Sequence, residues 1–143
     1  MATNEQLSKT PAVRPSGSEI RRVANLALGD ILAFLVFALI GSNSHKEAVT
    51  AGHVVWVAVP FVVAWFLVAP FLGAYRRNLD VRAMAVRTGI SWLAAWPVSM
   101  LLRGLLVDHQ VPPLTFMVIA LIANFIILCI WRIPYAIVRG KVR

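Results

Sequence analysis

Four long stretches of this chain are almost free of charge, and that constrains the fold more than any other feature. They run roughly from Val23 to Gly41, His53 to Tyr75, Thr88 to Val107 and Pro113 to Val138. About 20 helical residues cross the hydrocarbon core of a bilayer, and each stretch is of that length or longer. Hydrocarbon offers a peptide group no hydrogen-bond partner, so such a segment must be a helix that satisfies its own backbone. Composition agrees: 59% of the 143 residues are hydrophobic and 14% are charged, whereas a soluble domain is about a quarter charged. The expected fold is all-α, a transmembrane four-helix antiparallel bundle spanning residues 23–143. Residues 1–22 are polar and contain Pro11, Pro15 and Gly17; they read as a flexible tail. They lack the short apolar region of a secretory signal, so the first span is expected to act as an uncleaved anchor.

Basic residues alternate in density between the spans. Lys9, Arg14, Arg21 and Arg22 precede the first, Arg76, Arg77, Arg82 and Arg87 separate the second and third, and Arg132, Arg139, Lys141 and Arg143 close the chain. The remaining two connections hold Lys46, with Arg103 just inside the end of span three. The positive-inside rule then puts both termini in the cytoplasm and the protein in the inner membrane. Tyr75, Trp92, Trp131 and Tyr135 fit an aromatic belt on that side, and Trp56 one on the outer side. The net charge of +8 does not indicate nucleic acid, because the basic residues flank apolar spans and suit anionic headgroups. The single cysteine, Cys129, excludes an intrachain disulfide and a cysteine-based zinc site.

Within the spans, small residues mark the faces where helices approach closely. Ser91, Ala95, Ser99 and Arg103 form one row at four-residue spacing, and Ala120, Asn124, Leu128 and Arg132 another. Gly29 and Ala33 share a face with Asp30, and Ala69 and Gly73 form a similar pair. Pro60 and Pro70 are expected to bend span two. Asn78 or Asp80 is placed to cap a helix running directly into span three.

Asp30 is the sharpest anomaly, since a carboxylate at membrane depth costs several kcal/mol unless partnered. Counting along the helices puts Arg132 at similar depth and Arg103 more than roughly 15 Å away. Asp30 and Arg132 are therefore the candidate intramembrane pair, either structural or on an ion or proton path. Arg103 is a candidate contact for an anion or lipid headgroup. His45, His53 and His109 fall on the outer side as candidate ligands for a metal or pigment. Trp65 and Trp96 lie deep enough to wall a quinone, carotenoid or lipid tail, and Asn124 is expected to join helices. No HExxH, GxSxG, P-loop or GxGxxG pattern is present, so an enzyme is not the expectation.

The order Gly29-Asp30, Phe37 to Gly41, Ser44-His45, Pro60-Phe61, Trp65, Pro70, Trp92, Arg103, Phe116 and Trp131-Arg132 resembles a family of small bacterial and archaeal membrane proteins known only as a domain of unknown function. The resemblance covers roughly residues 25–132. It implies a four-helix integral membrane domain, carries no activity across, and singles out Asp30, His45, Arg103 and Arg132.

The first functional reading is an accessory or assembly subunit of a larger membrane complex, contacting lipids and other integral membrane subunits. A bioenergetic complex with bound lipid, carotenoid, chlorin or quinone is one setting. The alternatives are a small oligomeric transporter or channel using Asp30 and Arg132, and a lipid-modifying enzyme.

Overall fold

A computed structural model describes residues 16–44 and 50–141. It contains four helices: α1 (Gly17–Ser44), α2 (Ala51–Val68), α3 (Val81–Arg103), continued by a π-helical turn (Gly104–Asp108), and α4 (Leu114–Lys141). All four are long and apolar enough to cross a membrane. They pack antiparallel as a closed ring, α1 against α2, α2 against α3, α3 against α4, and α4 back against α1.

Two helix boundaries differ from the sequence reading, each for a visible reason, and a third agrees with it. α1 begins at Gly17 rather than Val23, so the last six residues of the expected tail are helical. The Ser16 carbonyl accepts the amides of Glu19 and Ile20. Glu19 is bound by both nitrogens of one side of the Arg77 guanidinium, and Arg22 donates to the carbonyls of Tyr75 (2.7 Å) and Arg76 (3.2 Å). Polar residues here dock on the α2–α3 connection instead of trailing into solvent. The Glu19 carboxylate also holds the Arg77 guanidinium above its ordinary pKa through their shared hydrogen bond. Residues 1–15 of the expected tail lie outside the described residues.

α2 stops at Val68, so Pro70 ends this helix where a bend was expected. Proline has no amide to donate, and residues 69–75 fold into a turn closed by Gly73 N–H to the Pro70 carbonyl (3.2 Å) and Ala74 N–H to the Ala69 carbonyl (3.1 Å). Gly73 has φ of 78°, a conformation side chains disfavour. Pro60 does lie inside α2. α3 starts at Val81 because Asp80 caps it, its carboxylate accepting the Ala83 amide at 2.7 Å. Asp80, not Asn78, is the cap.

The core is aromatic at its centre. Phe34 lies 5.6 Å from Trp92 and 6.1 Å from Trp65, ring centre to ring centre, and Phe37 meets Phe61 edge-on at 5.3 Å. Both small-residue rows are buried: Ser91, Ala95 and Ser99 on α3, and Ala120, Asn124, Leu128 and Arg132 on α4. Trp92 is buried too, so it does not belong to an interfacial belt. Its indole donates to the Leu121 carbonyl (2.8 Å), and Trp96 donates to the Met117 carbonyl (3.0 Å), tying α3 to the backbone of α4. Large apolar side chains such as Ile130, Leu93 and Leu67 face outward, which suits a bilayer rather than water.

Candidate functional site

All four helices contribute to one buried polar cluster around Asp30. The side chains of Asp30 and Arg132 are both 0% exposed. They form a bidentate pair: Arg132 Nε donates to Asp30 Oδ1 (2.7 Å) and Nη2 to Oδ2 (2.6 Å). Bidentate arginine–carboxylate bonds are among the strongest polar contacts a protein makes. Three more donors complete the carboxylate. Trp131 Nε1 reaches Oδ1 at 3.1 Å, Trp65 Nε1 reaches Oδ2 at 3.0 Å, and the Tyr75 hydroxyl reaches Oδ2 at 2.5 Å.

The guanidinium is equally enclosed. Its Nη1 donates to the Ala74 carbonyl (3.0 Å) and lies 3.5 Å from Thr88 Oγ1 and 3.7 Å from Met84 Sδ. Trp65 and Tyr75 present ring faces to it, at 5.0 and 5.1 Å from the guanidinium carbon.

Local structure explains why these groups converge. Thr88 and Met84 are one turn apart on α3. The turn after α2 brings both the Ala74 carbonyl and the Tyr75 hydroxyl inward. Gly29 lacks a Cβ, so the Trp131 indole lies directly on the α1 backbone and hands its N–H to the neighbouring Asp30.

Burying a charge costs several kcal/mol per ion, and that cost is offset only when geometry and hydrogen bonding are nearly complete. Here every carboxylate oxygen has at least two donors. Neither Asp30 nor Arg132 lines the five most prominent cavities among the described residues. The arrangement is thus suited to holding four helices in register.

Arg103 occupies a separate pair near the other end of the bundle. It binds Asp108 through Nε to Oδ2 (3.0 Å) and Nη2 to Oδ1 (3.1 Å), with the guanidinium carbon 4.3 Å from the Phe116 ring centre. The π-helical turn makes this geometry possible, since its wider i to i+5 winding brings Asp108 closer to the side of the helix that carries Arg103 than an α-helix would. Among the described residues Arg103 Nη1 and Ser42 Oγ have no hydrogen-bond partner, and both residues line a cavity of about 70 Å³ with Phe37 and Phe116.

The remaining sequence candidates separate. His53 sits in the first turn of α2, with its amide bonded to Thr50 Oγ1 (3.2 Å). His109 is exposed, in the left-handed conformation that ends the π-helical turn. His45 lies outside the described residues. Among the described residues no three His, Cys, Asp or Glu side chains cluster to hold a metal. Trp65 is part of the Asp30 cluster while Trp96 lies on α4 backbone, so the two do not share a site. Asn124 bonds the Ala120 carbonyl of its own helix (3.0 Å) rather than bridging to a neighbour.

Sequence reasoning missed Tyr75, Trp131, Trp65 and Thr88 as partners of the pair, and Asp108 as partner of Arg103. By sequence Tyr75 and Trp131 fit an interfacial belt, because aromatic residues at span ends commonly sit there. The four-residue row from Leu128 to Arg132 and the adjacency of Trp131 were available as signals; the inward path of the 69–75 turn was not.

A family model described as a protein of unknown function, DUF3054, matches residues 27–135. No curated protein and no solved structure matches the chain.

Proposed function

The chain belongs to the DUF3054 family of proteins of unknown function, and from that premise we propose that it is a non-enzymatic accessory or assembly subunit of a larger membrane complex. One observation carries this reading. The Asp30 carboxylate, the acidic group deepest in the bundle, accepts five hydrogen bonds from four protein side chains. A transporter needs a hydrated route and a coupling group free to change partners. Here that group is committed to joining helices. What the bundle presents outward is apolar and partly aromatic, including Trp56 on α2, Phe71 after it, and Phe125 on α4. Aromatic side chains of this kind supply large contact area at low entropic cost.

Extraction from native membrane in mild detergent is expected to recover the protein together with other integral membrane subunits. Reconstituted alone, it is expected to pass neither ions nor small solutes. Isolation without partners, combined with a flux that Asp30→Asn abolishes in a folded variant, would replace this reading with the transporter.

We also propose that both termini face the cytoplasm of the cell, on the asymmetry of basic residues. In a Cys129→Ser background, an impermeant thiol reagent applied to intact cells is expected to label Asn43→Cys and not Ser16→Cys. Both positions are exposed. The opposite labelling pattern would invert the topology.

A further inference from the structure

α1 and α4 touch closely at Gly29 and Trp131, and a groove of about 620 Å³ lies between them on the outer surface of the bundle. Its walls are Leu28, Leu32 and Val36 from α1 and Ile127, Ile130 and Trp131 from α4. One end differs from the rest. There the groove is lined by Asn25, which is exposed, and by Tyr135, whose buried hydroxyl has no hydrogen-bond partner among the described residues. Beyond Tyr135, exposed Arg139 stacks on its ring, with the guanidinium carbon 5.6 Å from the ring centre. Exposed Arg21 lies one turn before Asn25 and so shares its helical face. The groove is therefore apolar along its length, with an amide at one end and an arginine one turn further along each helix, of which Arg139 also lines a neighbouring cavity with Asp80.

We propose that this groove binds an anionic phospholipid of the leaflet nearest the termini, with one acyl chain along α1 and α4 and the phosphate between Arg21 and Arg139. Charge complementarity selects the headgroup, because arginine forks pair with phosphate oxygens. Asn25 supplies a further donor at the same level. Length selects a single leaflet. Asn25 to Val36 spans about 16 Å of helix, close to half of the roughly 30 Å hydrocarbon core.

The occupant would also cover the exposed face of Trp131, whose indole N–H is bonded to Asp30. Lipid in the groove thereby shields the side of the ion pair that is only one side chain deep. This inference stands whether or not the protein assembles with other subunits.

The test uses the full chain, purified in detergent and stripped of lipid. Dioleoyl phosphatidylglycerol and dioleoyl phosphatidylcholine are added separately, and bound lipid is measured by native mass spectrometry. Each basic side chain near a membrane surface favours anionic lipid by an amount that makes a roughly tenfold preference for phosphatidylglycerol the expected result. The double variant Arg21→Gln/Arg139→Gln should bind the two lipids about equally and unfold at the wild-type temperature when lipid is absent. Ile130→Trp, which fills the groove from an outward-facing position, should weaken binding of both lipids. Equal affinity of the wild type for the two lipids would overturn the proposal, as would a preference that survives the double variant. So would a dimer in mild detergent that Ile130→Trp dissociates, since the groove would then hold a second copy of the chain.

Discussion

Asp30→Ala is expected to leave little folded protein in the membrane. The substitution removes one side chain and strands five donors, among them a guanidinium that is 0% exposed. Breaking a buried ion pair from one side costs about 3–5 kcal/mol, a large share of the 5–15 kcal/mol that typically separates folded from unfolded protein. Arg132→Met is expected to be nearly as damaging. It leaves a carboxylate with three neutral donors and no countercharge. The double variant Asp30→Ala/Arg132→Met should recover part of the loss, because removing both charges removes the desolvation cost along with the attraction. Thermal unfolding of the four proteins in detergent gives the coupling directly. Single variants that unfold close to the wild-type temperature, or effects that simply add, would show that the pair does not hold the bundle together.

Gly29→Ala should be destabilising although alanine is the better helix former. A Cβ at Gly29 would stand 2.1 Å from Cζ2 and 2.2 Å from Cε2 of Trp131. The indole cannot retreat freely, since its N–H is bonded to Asp30. Either α1 and α4 part, or Trp131 turns away and that hydrogen bond is lost. Overpacking of this kind costs typically 1–3 kcal/mol, which outweighs the helix-propensity gain of about 1 kcal/mol for glycine to alanine. Gly41 is the internal control. It lies in the same helix, a Cβ there meets nothing within 4 Å among the described residues, and Gly41→Ala should match or exceed the wild type in thermal stability. Equal behaviour of the two variants would mean that the Trp131 contact is not close enough to matter. Trp131→Ala should restore Gly29→Ala toward the stability of Trp131→Ala alone.

These expectations rest on features of unequal legibility. The spans were readable because hydrocarbon imposes a simple rule: a long run without charge must close its own hydrogen bonds as a helix. The rows through Ala95 and Leu128 were readable because close helix approach needs small residues at a repeat near four. Helix ends were less so. Gly17 to Arg22 read as tail by composition, yet Glu19 and Arg22 find partners on the 76–77 segment, about 55 positions away in the chain. Pro70 read as a bend within a span. The backbone instead stops there and turns through Gly73, whose positive φ leaves no trace in hydropathy.

By itself the sequence determined the class of fold, the number of crossings and the two charged residues that needed burial partners, because each follows from the cost of placing polar groups in hydrocarbon. Asp30 and Arg132 stand 102 positions apart, and counting residues along two helices is enough to put them at one depth. Depth, however, says nothing of rotation about a helix axis or of where a turn re-enters the bundle. Tertiary structure alone decided that Trp131 and Tyr75 face inward to the carboxylate, that the Ala74 carbonyl completes the guanidinium, and that Arg103 closes on Asp108 through a π-helical turn. Each of these is a choice among orientations that are nearly equal for an isolated helix in lipid, and only the packing of the other helices makes one of them the lowest in free energy.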